Sequence, residues 1–138
     1  YLELAEFIMR HGARPDADLE QLWRRIVFGI CISNTDDHLR NHGFLLTDHG
    51  WVLSPAYDIN PNEKGTGLQL NITEDDNTLD LNLAMDTRKY YRLDETRAME
   101  IIEQVKKIVK DFRKYAGKYA IPKDEQELMA GAFIDHLR

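Results

Sequence analysis

The segment from Leu19 to Ile32 constrains the fold more tightly than any other part of the sequence. Leu19, Leu22, Trp23, Ile26, Val27 and Ile30 recur at intervals of three and four, the spacing that lines up side chains on one face of an α-helix. The stripe is wide, so this helix is expected to be buried by the rest of the chain. It stops abruptly at the polar stretch "SNTDDHLRNHGF", Ser33 to Phe44. Two adjacent acids, a histidine, a base and an asparagine are crowded between an apolar helix and an apolar strand-like run. Loops hold such residues for structural reasons as well as for chemistry.

The 138 residues suit one domain with a single core, since chains of this size bury roughly two-thirds of the surface they expose when unfolded. The first residue is a tyrosine in a run, "YLELAEFIMRHG", that reads as an element under way. The expectation is therefore a piece of a longer chain. A net charge of −6 argues against direct nucleic-acid or anionic-membrane binding by this segment, because phosphates attract clustered Lys and Arg. The single cysteine, Cys31, excludes an internal disulfide, and its place on the apolar helix reads as a buried small hydrophobe rather than a nucleophile. No apolar run approaches the roughly 20 residues that span a membrane, and no secretory signal is visible. A cytoplasmic protein is expected.

Along the chain, Leu2, Ala5, Ile8 and Met9 share one face of a first helix that Gly12 stops. Asp18 reads as the N-cap of the second helix. After the polar stretch, "GFLLT" and "WVLSP" meet across "DHG", which predicts a β-hairpin over Phe44 to Leu53 with Gly50 free to take positive φ. Pro55 ends the pairing, and "AYDINPNEKGTG" follows as a long irregular loop. "LQLNI" alternates like a strand, while "LDLNLAM" fits strand or helix. From Asp94, an N-cap, Ala98, Ile101, Ile102, Val105, Ile108, Val109, Phe112 and Tyr115 form the buried face of one helix running to Gly117. Glu103 and Lys107 stand in favourable order on its outer side. A last helix starts near Pro122, with Leu128, Phe133, Ile134 and Leu137 as core candidates. The fold class is mainly α with a small β-hairpin element.

Asp36 and Asn41 lie five apart, and Asp58 of "SPAYDIN" returns just beyond the hairpin. A hairpin brings its two ends together, so two carboxylates and an amide oxygen can converge. Phosphoryl transfer from ATP needs such a set: hard oxygens hold Mg2+, and a free carboxylate orients or deprotonates the attacking hydroxyl. The same order occurs in the protein-kinase pattern, a catalytic-loop Asp followed by a metal-binding Asn, then a second metal-binding Asp. On this reading Asp36 is the base, Asn41 and Asp58 bind magnesium, and Arg40 can neutralise the transferring phosphate. The bland alternative is that Asp36 and Asn41 brace the helix exit and Asp58 forms an Asx-turn with Asn60. His38 and His42, four apart beside Asp36 and Asp37, also suit a metal-dependent hydrolase, although they need a helix to share a face and the segment reads as a loop. A structural His38 is the preferred reading.

The segment "SNTDDHLRNHGFLL…GWVLSPAYDINP" resembles the C-terminal catalytic region of the HipA-like serine/threonine kinases, toxins of bacterial toxin–antitoxin systems. Their pattern is an N/T-x-D-x-H-x-x-N loop, a hairpin and an L-x-P-x-Y-D-I segment, and the D-x-H-x-x-N core is similar to that of phosphoinositide kinases. The resemblance covers Ile32 to Pro61 and implies a kinase-like helical C-terminal lobe over residues 1–138. It makes Asp36 the catalytic aspartate, Asn41 and Asp58 the magnesium ligands and His38 the organiser of the loop. Arg40 stands where a lysine is common, and Asp37, where the family often has a small residue, receives no role. The nucleotide-anchoring lysine, the phosphate-covering loop and the β-rich N-terminal lobe have no counterpart in the sequence, and "EKGTG" follows the metal aspartate on the wrong side of it.

The expected activity, in a complete chain, is transfer of the γ-phosphate of Mg-ATP to a serine or threonine of a protein substrate. The fragment alone should bind nucleotide weakly and transfer phosphate slowly or not at all. Family analogy adds an antitoxin with a DNA-binding helix-turn-helix as a partner. The alternative class is a non-catalytic interaction domain that binds a protein partner through its helices.

Overall fold

The computed structural model describes residues 1–134. In chain order it comprises helices α1 (Leu2–His11) and α2 (Pro15–Cys31), a 3-10 turn at Leu39–Asn41, strands β1 (Phe44–Thr47) and β2 (Gly50–Leu53), α3 (Leu81–Thr87), a second 3-10 turn at Arg88–Tyr91, and then α4 (Glu95–Lys110), α5 (Phe112–Lys118) and α6 (Lys123–Ile134). The mainly α architecture with a single hairpin is the one the sequence predicts.

Helix α2 is the axis of the domain. Leu19, Leu22, Trp23, Ile26, Val27 and Ile30 are all fully buried, as is Cys31. The Trp23 indole N–H donates to the Ala84 carbonyl at 3.1 Å, tying α3 to the same core. Helix α4 packs along α2 with Ala98, Ile101, Ile102, Val105 and Val109 inward. Its N-terminus is capped as predicted, the Asp94 carboxylate accepting the Arg97 N–H at 2.7 Å. On the outer edge of this contact the Arg97 guanidinium bridges Glu20 of α2 at 2.6 Å and Glu100 at 3.0 Å. These charge-assisted bonds hold the Glu20 carboxyl below its ordinary pKa.

The hairpin hangs on α1 and α2 rather than standing alone, as a two-stranded ribbon must to be stable. Its register runs from Phe44 opposite Leu53 to Thr47 opposite Gly50. Phe7 of α1 packs against Phe44 with the rings tilted and centroids 4.6 Å apart, and lies 6.2 Å from Trp51. The Ala13 N–H donates to the Trp51 carbonyl at 2.7 Å. Gly50 takes φ +124°, and a Cβ there would stand 2.9 Å from the His11 carbonyl oxygen, so the turn closes onto α1 only with glycine.

Several expectations are corrected. Asp18 is not an N-cap: α2 starts one turn earlier, with Pro15 in its first position. Its buried carboxylate instead accepts the Leu53 N–H at 2.8 Å and the Arg14 Nε–H at 3.0 Å, clamping β2 to the helix. "LQLNI" forms no strand. Leu68 and Ile72 are buried and Gln69 and Asn71 exposed, so the alternation is genuine. Their N–H groups, however, bond to the Asn77 and Asp76 carbonyls within one local loop. The ambiguous "LDLNLAM" is helical from Leu81, capped by the Asp80 carboxylate on the Asn82 N–H.

The long helix read from Asp94 to Gly117 breaks at Asp111 into α4 and α5. Met9, Ile108, Tyr115 and Leu128, all read as core, are exposed. Ile108 and Tyr115 instead line an open apolar groove. Glu103 pairs with Lys106 at 3.5 Å rather than with Lys107. Phe133 does reach the core, stacking on Phe112 at 4.5 Å. The Ile134 side chain and Leu137 lie outside the described residues.

Asp18→Ala should lower stability by about 2 kcal/mol in chemical denaturation, because it leaves the buried Leu53 N–H without an acceptor. Retention of wild-type stability would show that the clamp contributes little.

Candidate functional site

The candidate site begins where α2 ends. Ser33 takes φ +53°, a left-handed conformation that turns the chain sharply out of the helix. Its hydroxyl donates to the Ala132 carbonyl of α6 at 3.1 Å, and its carbonyl accepts the Asn62 N–H at 3.1 Å. Asn62 also donates through Nδ2 to the Thr35 hydroxyl at 2.8 Å. The polar stretch is thus tied at once to the last helix and to the long loop beyond the hairpin. Gly65 completes that seam: a Cβ there would stand 2.2 Å from the Thr35 methyl, so only glycine lets the loop lie this close. The first glycine of "EKGTG" serves this packing, while Gly67 lies beside Asn77 with room for a Cβ.

The two adjacent acids have opposite surroundings. Asp37 is buried and its Oδ2 accepts both the Tyr1 O–H at 2.5 Å and the His42 Nε2–H at 2.8 Å. The His42 side chain is only 4% exposed. Burial and the Asp37 carboxylate push the Tyr1 phenol pKa far up, so it remains a donor. Asp36, by contrast, is 80% exposed, and its Oδ1 meets the His38 Nε2 at 2.9 Å. One carboxylate anchors the loop to the start of the chain, while its neighbour is held out towards solvent by an imidazole.

Asn41 is buried at the end of the 3-10 turn, with Nδ2 facing the Asp36 carbonyl at 3.4 Å, a weak bond. That orientation leaves Oδ1 as its free end. The hairpin then returns the chain as predicted. The Ser54 N–H donates to the Gly43 carbonyl at 2.9 Å, and the Tyr57 O–H donates to the Arg40 carbonyl at 2.6 Å. Asn41, Tyr57 and Ile59 line one small cavity, so the Asp58 segment lies against the loop of Asp36 and Asn41. Asp58 is exposed, with Oδ1 accepting the Asn60 Nδ2–H at 2.9 Å. Its φ of +53° is a left-handed conformation, unusual for a residue other than glycine. The Arg40 side chain is exposed and pairs with no carboxylate among the described residues.

As a donor set, the free amide oxygen of Asn41 and the exposed carboxylate of Asp58 are hard oxygens of the type magnesium prefers, and one or two protein ligands suffice for that ion. The histidines do not form such a set. His38 is engaged with Asp36 and His42 with Asp37, and no group of three or more His, Cys, Asp or Glu among the described residues is placed to hold a metal. This pairing gives the metal-dependent hydrolase no support. Cys31 is fully buried and its thiol is pushed up to about 11, which suits an inert core residue.

Sequence reasoning gave Asp37 no role and missed Tyr1, Arg25 and Asn34. The Asp37 signal was available, since Asp37 and His42 repeat the five-residue spacing of Asp36 and Asn41. Arg25 of α2 donates through Nη2 to the Ser54 carbonyl at 2.5 Å. Burial draws its pKa below the ordinary arginine value, while Asp37 and Asp18 draw it back up. No helical periodicity marks it, because it lies beside the apolar stripe rather than on it.

The contrast between the acids gives a direct test. Asp37→Ala should cost about 2 to 3 kcal/mol, since it strands the Tyr1 hydroxyl and His42 imidazole in the interior. Asp36→Ala should stay within about 0.5 kcal/mol of wild type, as expected at an exposed position. Equal losses in a denaturation series would refute this division of roles.

The family model described as the HipA-like C-terminal domain matches residues 1–112. A protein of Haemophilus influenzae named "Putative kinase" is 34% identical over 59 residues, which cover 42% of this chain and 17% of that protein. The chain thus spans well under a fifth of that relative's length. No solved structure matches it. No helix among the described residues is long and apolar enough to cross a membrane. With a family match that takes in α1 to α4, the polar loop and the hairpin, the chain belongs to the HipA-like C-terminal domain family.

Proposed function

We propose that this chain is the C-terminal lobe of a protein kinase that transfers the γ-phosphate of Mg-ATP to a serine or threonine hydroxyl of a protein substrate. The observation that carries the reading is the hairpin closure, Ser54 N–H to Gly43 carbonyl and Tyr57 O–H to Arg40 carbonyl, which sets the Asp58 segment beside the loop of Asp36 and Asn41. Family membership and a relative named as a kinase support the same class.

In this reading Asp36 is the catalytic residue. It is exposed, as a group that must meet an incoming hydroxyl has to be, and His38 at 2.9 Å fixes its orientation. Asn41 Oδ1 and the Asp58 carboxylate hold magnesium, which when bound neutralises charge on the phosphates. The left-handed backbone at Asp58 and its bond to Asn60 fix where that carboxylate sits. Arg40 lies one residue before Asn41 with an uncommitted guanidinium, suited to the charge of the transferring group. The nucleotide is covered by a further lobe in the full-length protein. A toxin role in the cytoplasm, opposed by an antitoxin with a helix-turn-helix, is the biological setting the family suggests.

A second reading, a protein-interaction domain, draws on one feature. The groove between Phe28 of α2 and the α4–α6 layer is apolar and open, with room of about 560 Å3, and exposed apolar surface of this kind marks interaction sites. The two readings differ in what a variant of Asp36 does.

In the full-length protein Asp36→Ala should lower kcat for phosphoryl transfer by roughly 10² to 10⁴, the usual range for a general base. Activity undiminished by that substitution would remove the kinase assignment from this site.

A further inference from the structure

Three residues that the proposed chemistry does not use converge behind the loop. Arg25, Asn34 and His42 line one small cavity with Asp37, Asn41, Ala56, Tyr57 and Ile59. Each carries buried polar atoms with no hydrogen-bond partner among the described residues: Arg25 Nε and Nη1, Asn34 Oδ1 and His42 Nδ1. Asn34 is 5% exposed and the His42 side chain 4%. Unpaired polar atoms at this depth are rare and costly, and three residues bringing them to one space is not a packing accident.

The cavity leaves about 10 Å3 for the centre of a water-sized molecule, close to the least that admits one water and far too little for anything larger. The hydrogen-bond chemistry also matches a single water. His42 Nε2 faces the Asp37 carboxylate and must carry its proton there, so in the neutral ring Nδ1 is an acceptor. Asn34 Oδ1 is a second acceptor. The Arg25 guanidinium offers donors only. A water can accept one N–H from Arg25 and donate its two protons to Asn34 Oδ1 and His42 Nδ1. That gives three bonds, the usual number for a buried water. A cation is excluded by the guanidinium, and an anion by the two acceptors and the neighbouring Asp37.

We propose that Arg25, Asn34 and His42 hold one ordered water that fastens α2 to the back of the loop bearing Asp36 and Asn41, and that Arg25 is thereby a positioning residue for the reaction at that loop. Arg25 joins three parts of the site. Its Nη2–H holds the Ser54 carbonyl at the hairpin exit, its Nε and Nη1 are buried without a partner among the described residues, and the proposed water passes the contact to His42, the residue after Asn41. The chain continues through Asp37 to Tyr1. The loop is thus gripped from α2 on one side and from the start of α1 on the other.

The second half of this proposal rests on the kinase reading, and the first does not. A high-resolution crystal structure of the full-length protein should show one water within hydrogen-bonding distance of all three residues. A dry cavity, or an Arg25 side chain turned to pair directly with Asp37, would overturn the water site. In the same protein Arg25→Met should lose the water and lower kcat for phosphoryl transfer at least tenfold. The KM for ATP should stay within twofold, with Arg25→Lys intermediate. Wild-type kcat in Arg25→Met, with the water present in wild type, would overturn the positioning role. Failure of the wild type itself to transfer phosphate with Mg-ATP would fall on the proposed function, and the electron density would still decide the water site.

Discussion

The buried carboxylate of Asp37 is the contact on which the rest of the site depends. A charge in the interior is tolerated only when hydrogen bonds replace the water it gives up. Here the Tyr1 hydroxyl and the His42 imidazole supply them, from opposite ends of the local structure. Because both must reach the same oxygen, the segment from Asp37 to His42 has little freedom. Its 3-10 turn at Leu39–Asn41 and the outward placement of Asp36 follow from that anchoring. An exposed acid beside a buried one is thus a division of labour: one residue fixes the backbone so that the other presents its carboxylate to solvent without moving.

The second constraint is the return of the chain. Two strands of four residues would not hold together in water by themselves. They are secured by Asp18 and Phe7 at the open end, by the Ala13 N–H near the turn, and by Arg25 at the exit. All four come from α1, α2 or the bend between them. The same helices that form the hydrophobic core therefore also set where Asp58 arrives. Packing and site geometry are coupled here through backbone hydrogen bonds rather than through the apolar side chains alone.

Much of this was legible in the sequence. The α2 stripe, the hairpin with its glycine and the Asp94 cap depend on local periodicity and turn chemistry, and each appears where the residues placed it. The return of the Asp58 segment towards the loop of Asp36 and Asn41 was expected from hairpin geometry, and the tertiary contacts of α1 and α2 hold the hairpin that delivers it. What failed was decided by tertiary contact. Asp18 has the chemistry of a cap, but a buried strand N–H competes for its carboxylate. Leu68 to Ile72 alternates because alternate side chains enter the core, with no partner strand to make a ladder. Ile108 and Tyr115 are exposed because that side of α4 and α5 opens onto a groove. Of the two Asp37 contacts, the one to His42 has a local spacing in the sequence, whereas the one to Tyr1, thirty-six residues away, has none.

The central claim is that Asn41 and Asp58 form a magnesium-dependent nucleotide site. Calorimetric titration of the full-length protein with ATP, with and without magnesium, tests it most directly when wild type is set against Asp58→Asn. Asparagine tolerates the left-handed backbone at that position, so the substitution removes charge and leaves the shape. The account predicts magnesium-dependent binding by the wild type and loss of that dependence in the variant. Binding that is absent from both, or equal and magnesium-dependent in both, would contradict it.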